Sequence, residues 1–247
     1  VEDASEPNAA AGCAAGSSAP MVMVTSSMLT MAAAAAETRA YDELGSTNTY
    51  EAYASSVLTA LSSGRPGPGV GSGSITGALA TDRRKLARQR HLFDEELAFI
   101  LGHELAHHYR GHTGCAGRAP ATREEAENFE RMLSTTIPPL EQPFEIEADA
   151  WGTTTVLEVG HDRAGGHWTE EGALLSLDLF GHLSTTDLGS IFLSTHPPAA
   201  LRAPIVRQVA AAWEPGHTPI MSPEIDDRGV TIDLGSGPIT IPVPFPH

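Results

Sequence analysis

The stretch LAFILGHELAH, residues 97–107, is apolar on nearly every face of a helix, yet it carries two histidines and a glutamate near its end. A helix that is apolar all round belongs at the centre of a fold, so the rest of the chain must be arranged around this one. Asp94 reads as its N-cap, with Glu95 and Glu96 in the first turn, and Arg110 before Gly111 marks its end. His103 and His107 are four residues apart and share one face, with Glu104 beside them. In a dry core these groups would lack adequate partners. A metal ion removes that difficulty more simply than a cluster satisfied by neighbouring side chains and water. HExxH is the pattern in which two imidazoles hold zinc and the glutamate takes a proton from the water that the metal activates.

Catalytic zinc takes three protein ligands and keeps one position open, so spacing must supply a third donor. The HExxHxxGxxH form requires Gly at 110 and His at 113, where this chain has Arg110 and Thr113. A glutamate eighteen residues beyond the second histidine would fall at 126, which is Ala126. That leaves PFEIEADAWG, residues 143–152, where Glu145 and Asp149 share a helical face and Glu147 points elsewhere. Glu145 can reach the metal, while Asp149 orients a ligating imidazole through its other ring nitrogen. The plainer alternative is a surface helix with acids near its N-terminus. His108 and His112 lie at or beyond the helix C-terminus, where partial negative charge favours them, and read as structural. His91, His161, His167, His182 and His217 are scattered in loops or helix ends and carry no site role.

HExxH on an apolar helix, then ExxAD at 145–149, then STHPPAALR at 194–202, resembles the soluble catalytic core of the gluzincin metallopeptidases related to HtpX and the CAAX prenyl proteases. The resemblance spans roughly residues 20–209. It implies a zincin-like fold and one zinc ion per chain held by His103, His107 and Glu145. Glu104 would be the general base, and Asp149 and Arg202 would support the site from behind. His196 would act from a loop, binding the metal or steadying the oxyanion. It further implies that the β-prone segment Met21, Val22, Met23, Val24 and Thr25 is an edge strand that aligns a peptide by main-chain pairing. The expected activity is that of a zinc-dependent endopeptidase acting on peptides or proteins. The alternative is a non-catalytic or latent chaperone-like zinc module of the same fold, with the apolar tail ITIPVPFPH as a candidate occupant of its own groove. Two departures stand out: the four-span membrane scaffold of several relatives is absent, and a long insertion, roughly 32–90, precedes the active-site helix.

A formal charge of −16 and a pI near 5.0 argue against nucleic acid or an anionic membrane surface as the main partner. The run APMVMVTSSMLTMAAAAAE is broken by Thr25, Ser26, Ser27 and Thr30 and reads neither as a signal sequence nor as a membrane span. The expected form is soluble and exported. Cys13 and Cys115 are equally compatible with one bridge and with independent burial, and a bridge would favour export.

Residues 1–19 read as irregular, and Ala32–Thr38 as helical. Tyr50, Tyr53, Val57 and Leu61 fall at helical spacing behind Thr47 or Asn48 as cap, and 64–77 is a loop. Further helices are expected at 122–134, 143–158, 169–183 and 197–213. Val230, Ile232 and Leu234 then alternate ahead of Ile239, Ile241 and Val243 as a hairpin whose last strand Pro242 and Pro244 confine to an edge. The expected class is therefore α+β and mostly helical with a small edge sheet. Residues 1–220 form the catalytic domain, and 221–247 a hairpin or tail packed on it. The pattern carries no signal for oligomeric state.

Overall fold

The computed structural model of the chain describes residues 7–14, 19–63, 65, 77–113, 115, 142–163, 167–183, 199–215, 224–226, 229–233 and 238–241. Among these the elements run β1 (Ala9–Cys13), β2 (Pro20–Val24), α1 (Ser26–Gly45), α2 (Thr49–Ser62), a 3-10 turn (Ala78–Thr81) and α3 (Arg83–Tyr109). They continue as α4 (Gln142–Asp162), α5 (Glu171–Leu183), α6 (Ala199–Ala212), β3 (Glu224–Asp226), β4 (Gly229–Asp233) and β5 (Pro238–Ile241). The class is α+β and mostly helical. β1 and β2 pair antiparallel with Ala9 opposite Val24 and Cys13 opposite Pro20. The expected C-terminal hairpin forms with Val230 opposite Ile241, and β3 adds a third strand on the far side of β4.

α3 is the central helix, packed by α1, α4, α5 and the β1–β2 sheet. Among the described residues, three apolar clusters surround it. Leu92 joins α1, α2 and α5 through Met31, Ala35, Tyr50, Val57 and Leu179. Phe99 meets Val156, Leu177 and Val206 from α4, α5 and α6. Ile100 packs on Ala9, Val24 and Met28. The alanines of α1 matter here, since Ala35, Ala36 and Ala40 are fully enclosed and their small side chains let neighbouring helices approach closely. Residues 32–90, read from sequence as an insertion, thus supply a large part of the core.

Several boundaries differ from expectation for identifiable reasons. Residues 9–13 form β1 rather than irregular chain; small alanines and a glycine carry little strand propensity, and pairing with β2 decides the conformation. α3 begins at Arg83, capped by Asp82, whose carboxylate accepts from the Arg84 N–H at 2.8 Å. Asp94, Glu95 and Glu96 therefore lie mid-helix. Glu95 is buried and accepts from the Thr169 and Gly172 N–H groups at 2.6 and 3.1 Å, so it caps α5 and not its own helix. His91, in the same stretch, is helical and faces Glu95 at 3.1 Å. α1 extends well beyond Ala32–Thr38 on both sides, with Thr25 as its N-cap accepting from the Met28 N–H. α2 is capped by neither Thr47 nor Asn48: the Asp42 carboxylate, at the end of α1, accepts from Thr49 and Tyr50 N–H at 2.7 and 2.8 Å. The expected helix at 122–134 and most of the loop at 64–77 lie outside the described residues, as does the boundary placed at 220.

Two local features place the metal-binding candidates. Cys13 and Cys115 form a disulfide with Cα atoms 5.4 Å apart, tying the end of β1 to the chain just past α3. α3 and α4 cross at Gly102 and Gly152, so closely that a Cβ on Gly152 would stand 2.9 Å from the His103 main-chain nitrogen. No helix among the described residues is long and apolar enough to cross a membrane.

Replacing Gly152 with alanine forces the two helices apart, and overpacking of this kind destabilises by roughly 1–3 kcal/mol. Thermal unfolding of Gly152→Ala is expected to show a clearly lowered midpoint, whereas Val159→Ala, exposed on the same helix, stays near the parent.

Candidate metal centre

The last two turns of α3 present His103 and His107 toward α4, and the first turn of α4 presents Glu145 toward α3. His103 Nε2 and His107 Nε2 are 3.2 Å apart. Glu145 places one carboxylate oxygen 3.3 Å from His103 Nε2 and the other 3.3 Å from His107 Nε2. A tetrahedral ion with bonds of about 2.0–2.1 Å spaces its donors by about 3.3–3.4 Å; the two nitrogens are near that separation, and taking one ligand atom from each residue, all three lie within 4.8 Å of one another. His103, His107 and Glu145 thus form a group that could hold a metal ion. Glu104 is buried on the same turn of α3.

Behind His103 lies Asp149, whose carboxylate accepts from Nδ1 at 3.0 Å. Arg202, from α6, donates to both Asp149 oxygens at 2.7 and 2.6 Å. All three side chains are enclosed. The arrangement holds the His103 ring in one orientation with its Nε2 facing Glu145, as metal-ligating histidines require. The structure thus brings Asp149 and Arg202 together behind His103. His196 lies outside the described residues.

Electrostatics follow from this enclosure. Burial alone would push the His103 imidazole down, but Asp149 and Glu145 beside it outweigh burial and hold it at about 10. Burial would push Asp149 up, and the Arg202 charge together with the hydrogen bonds from Arg202 and His103 keeps it at about 2. Burial pushes the Glu104 carboxyl up; His103, His107 and Arg202 pull against that rise and Glu145 adds to it.

The edge strand sits close by. Ala9 of β1 lines a small cavity together with Met28, Phe99, Ile100, His103, Glu104, Phe180 and Arg202. Asn8 O accepts from Thr25 N–H and Ala19 O from Ala14 N–H, both at 2.9 Å. By the alternation of antiparallel pairs, the main-chain groups of Ala9, Ala11 and Cys13 then face away from β2. Met21, Val22, Met23 and Val24 form β2, one strand further along, while Thr25 caps α1. The Met21 carbonyl accepts from His108 Nε2 at 2.9 Å, fastening β2 to the end of α3.

Sequence reasoning missed one part of the site. His112 is not merely a residue at a helix end: its Nδ1 stands 3.1 Å from His107 Nδ1, and its Nε2 3.0 Å from Glu147. Glu147 does point away from the triad, but toward this second histidine and Arg110. The available signal was Gly111, whose φ of 78° turns the chain back on itself. Compared with known protein families, curated proteins and solved structures, the chain matches none.

In the metal-free protein the raised His103 value means that its proton stabilises the fold fully below the ordinary value of 6.5, and that this contribution is lost as pH rises through about 10. A metal needs the same Nε2 lone pair. Uptake of zinc near pH 7.5 is therefore expected to release at least one proton, and apparent affinity to climb with pH. Calorimetry in buffers of different ionisation enthalpy measures both; uptake without proton release contradicts the expectation.

Proposed function

We propose that this chain is a zinc-dependent endopeptidase of the gluzincin type, with a zincin-like fold and one zinc ion per chain. The observation that carries the reading is the cluster of two imidazole nitrogens 3.2 Å apart and a carboxylate with one oxygen 3.3 Å from each, beside a second buried carboxylate, Glu104, on the same turn of α3 as the histidines. A divalent ion held by two His and one Glu supplies Lewis acidity for a scissile carbonyl and makes water a nucleophile near neutral pH.

The protein's own groups do the rest. Glu104 accepts the proton of the attacking water and delivers it to the departing amine; its enclosure, which raises its proton affinity, suits both halves of that shuttle. Asp149 keeps the His103 proton on Nδ1, and Arg202 keeps Asp149 ionised and fixed. A peptide in extended form can add to the outward edge of β1 by main-chain hydrogen bonds, which brings its backbone past Ala9 to the cavity shared with His103 and Glu104. This moves the aligning role from β2, where the resemblance suggested it, to the neighbouring strand. The resemblance adds His196, either binding the metal or steadying the oxyanion. The Cys13–Cys115 disulfide supports an exported location, because such bonds persist in oxidising compartments.

The test is Glu104→Gln. Zinc content and thermal stability are expected to be retained, while cleavage of an unstructured protein such as casein falls by about 10²–10⁴, the contribution typical of a positioned acid–base group. Undiminished cleavage by the variant removes Glu104 from the reaction. Stoichiometric zinc in a wild type that cuts no peptide supports the chaperone-like alternative instead.

A further inference from the structure

The two histidines of the triad are supported differently. His103 leans on a carboxylate, Asp149. His107 has no acid at its Nδ1 among the contacts the structure shows there; it faces another imidazole, His112, at 3.1 Å. His112 in turn faces Glu147 at 3.0 Å, and Arg110 donates to the other oxygen of that carboxylate at 2.6 Å. The His112 and Glu147 side chains leave only 6% and 7% of their surface exposed. The His112 ring also lies over Phe144, centroids 4.4 Å apart, and the His112 main-chain N–H donates back to the His107 carbonyl at 2.8 Å. The ring is therefore fixed from its main chain, its face and both nitrogens.

Two Nδ1 atoms this close can share one proton but cannot each carry one. If His107 offers Nε2 to a metal, its own proton must sit on Nδ1, and His112 Nδ1 must be the bare acceptor. The His112 proton is then on Nε2, pointed at Glu147, which as a carboxylate can only accept. Each step leaves one tautomer, and the order runs from the Arg110–Glu147 ion pair inward to the metal-binding nitrogen.

We propose that His112 and Glu147 are positioning residues for the metal centre: they form a relay that sets the tautomer and orientation of His107, as Asp149 and Arg202 do for His103. This rests on the metal reading of His103, His107 and Glu145. It adds that a neutral histidine backed by a buried acid does the work for which a carboxylate serves on the other ligand, and it assigns Glu147, between Glu145 and Asp149 in sequence, a role on the opposite side of the same helix turn.

The experiment uses the full chain. Zinc affinity is measured by competition with a chromogenic chelator, and cobalt(II) substitution reports the ligand field. His112→Phe keeps the stack on Phe144 and removes the acceptor. It is expected to weaken zinc binding about 10–100-fold, the usual effect of losing a group that orients a ligand, and to alter the cobalt spectrum, with the metal-free melting temperature little changed. His112→Asn returns an oxygen near the Nδ1 position and is expected to recover most of the affinity. Imidazole nitrogen NMR on the zinc-loaded wild type gives an independent answer whether or not the phenylalanine variant folds: His112 should be protonated on Nε2 and bare on Nδ1. A protonated His112 Nδ1, or a His112→Phe protein with wild-type affinity and cobalt spectrum, overturns the relay while leaving the metal reading intact. A wild type that takes up no zinc or cobalt overturns both, so the two failures are distinguishable.

Discussion

Contact between α3 and α4 at Gly102 and Gly152 sets the distance on which the site depends. Glu145 is a short side chain at the start of α4, and it spans to two imidazoles on α3 only because the helix backbones approach where no Cβ intervenes. The same approach brings Asp149, one turn further along α4, behind His103. One crossing thus delivers both a donor for the triad and the group that orients another donor. A side chain at Gly152 would push against the main chain of His103 itself, so packing and ligand geometry are coupled at that point.

Several ionisable groups are enclosed around this crossing, and their arrangement bears on what the site is for. Isolated buried charges are strongly unfavourable, and even paired ones contribute little net stability compared with apolar residues of similar volume. Arg202, Asp149, His103, Glu145 and Glu104 are all enclosed. Five such groups would be a poor way to build a stable core. The Arg202–Asp149 pair balances itself, but the His103 imidazole and two further carboxylates remain, with the His107 imidazole beside them, and the proposed divalent cation would satisfy nitrogen and oxygen lone pairs there together. Such a cluster at the centre of the molecule is what the proposed ion site accounts for and stability does not.

The chemistry-bearing residues were legible because their spacing carries geometric meaning. Four residues on a helix is one turn, so His103 with His107 and Glu145 with Asp149 each had to share a face, and the structure brings the two faces together. Tertiary use of a local signal was much less legible. An acidic triplet such as Asp94–Glu95–Glu96 reads as a helix start, yet Glu95 serves the N-terminus of α5 and α3 begins eleven residues earlier at Arg83. Asp42 likewise caps a helix other than its own. Pattern shows that a carboxylate is near some helix end, but only the packing says which. β1 was missed for a related reason: a strand of alanine and glycine has no side-chain signature, and its conformation comes from its partner.

The turn after α3 shows how these levels join. Gly111, at a φ of 78°, ends the helix and folds the chain back, placing His112 against His107. Thr113 then meets His108 Nδ1 through its hydroxyl, and Cys115 closes the disulfide to Cys13 at the end of β1. His108 reaches β2 through the Met21 carbonyl. Five residues therefore connect the second histidine of the triad, the end of the central helix and both strands beside it. A cross-link between positions so far apart in sequence narrows the unfolded ensemble, but its location matters as much as its length. It fastens the strand that lines the cavity with His103 and Glu104 to the turn that sets His112 against His107, so the edge and these side chains are held in a common frame.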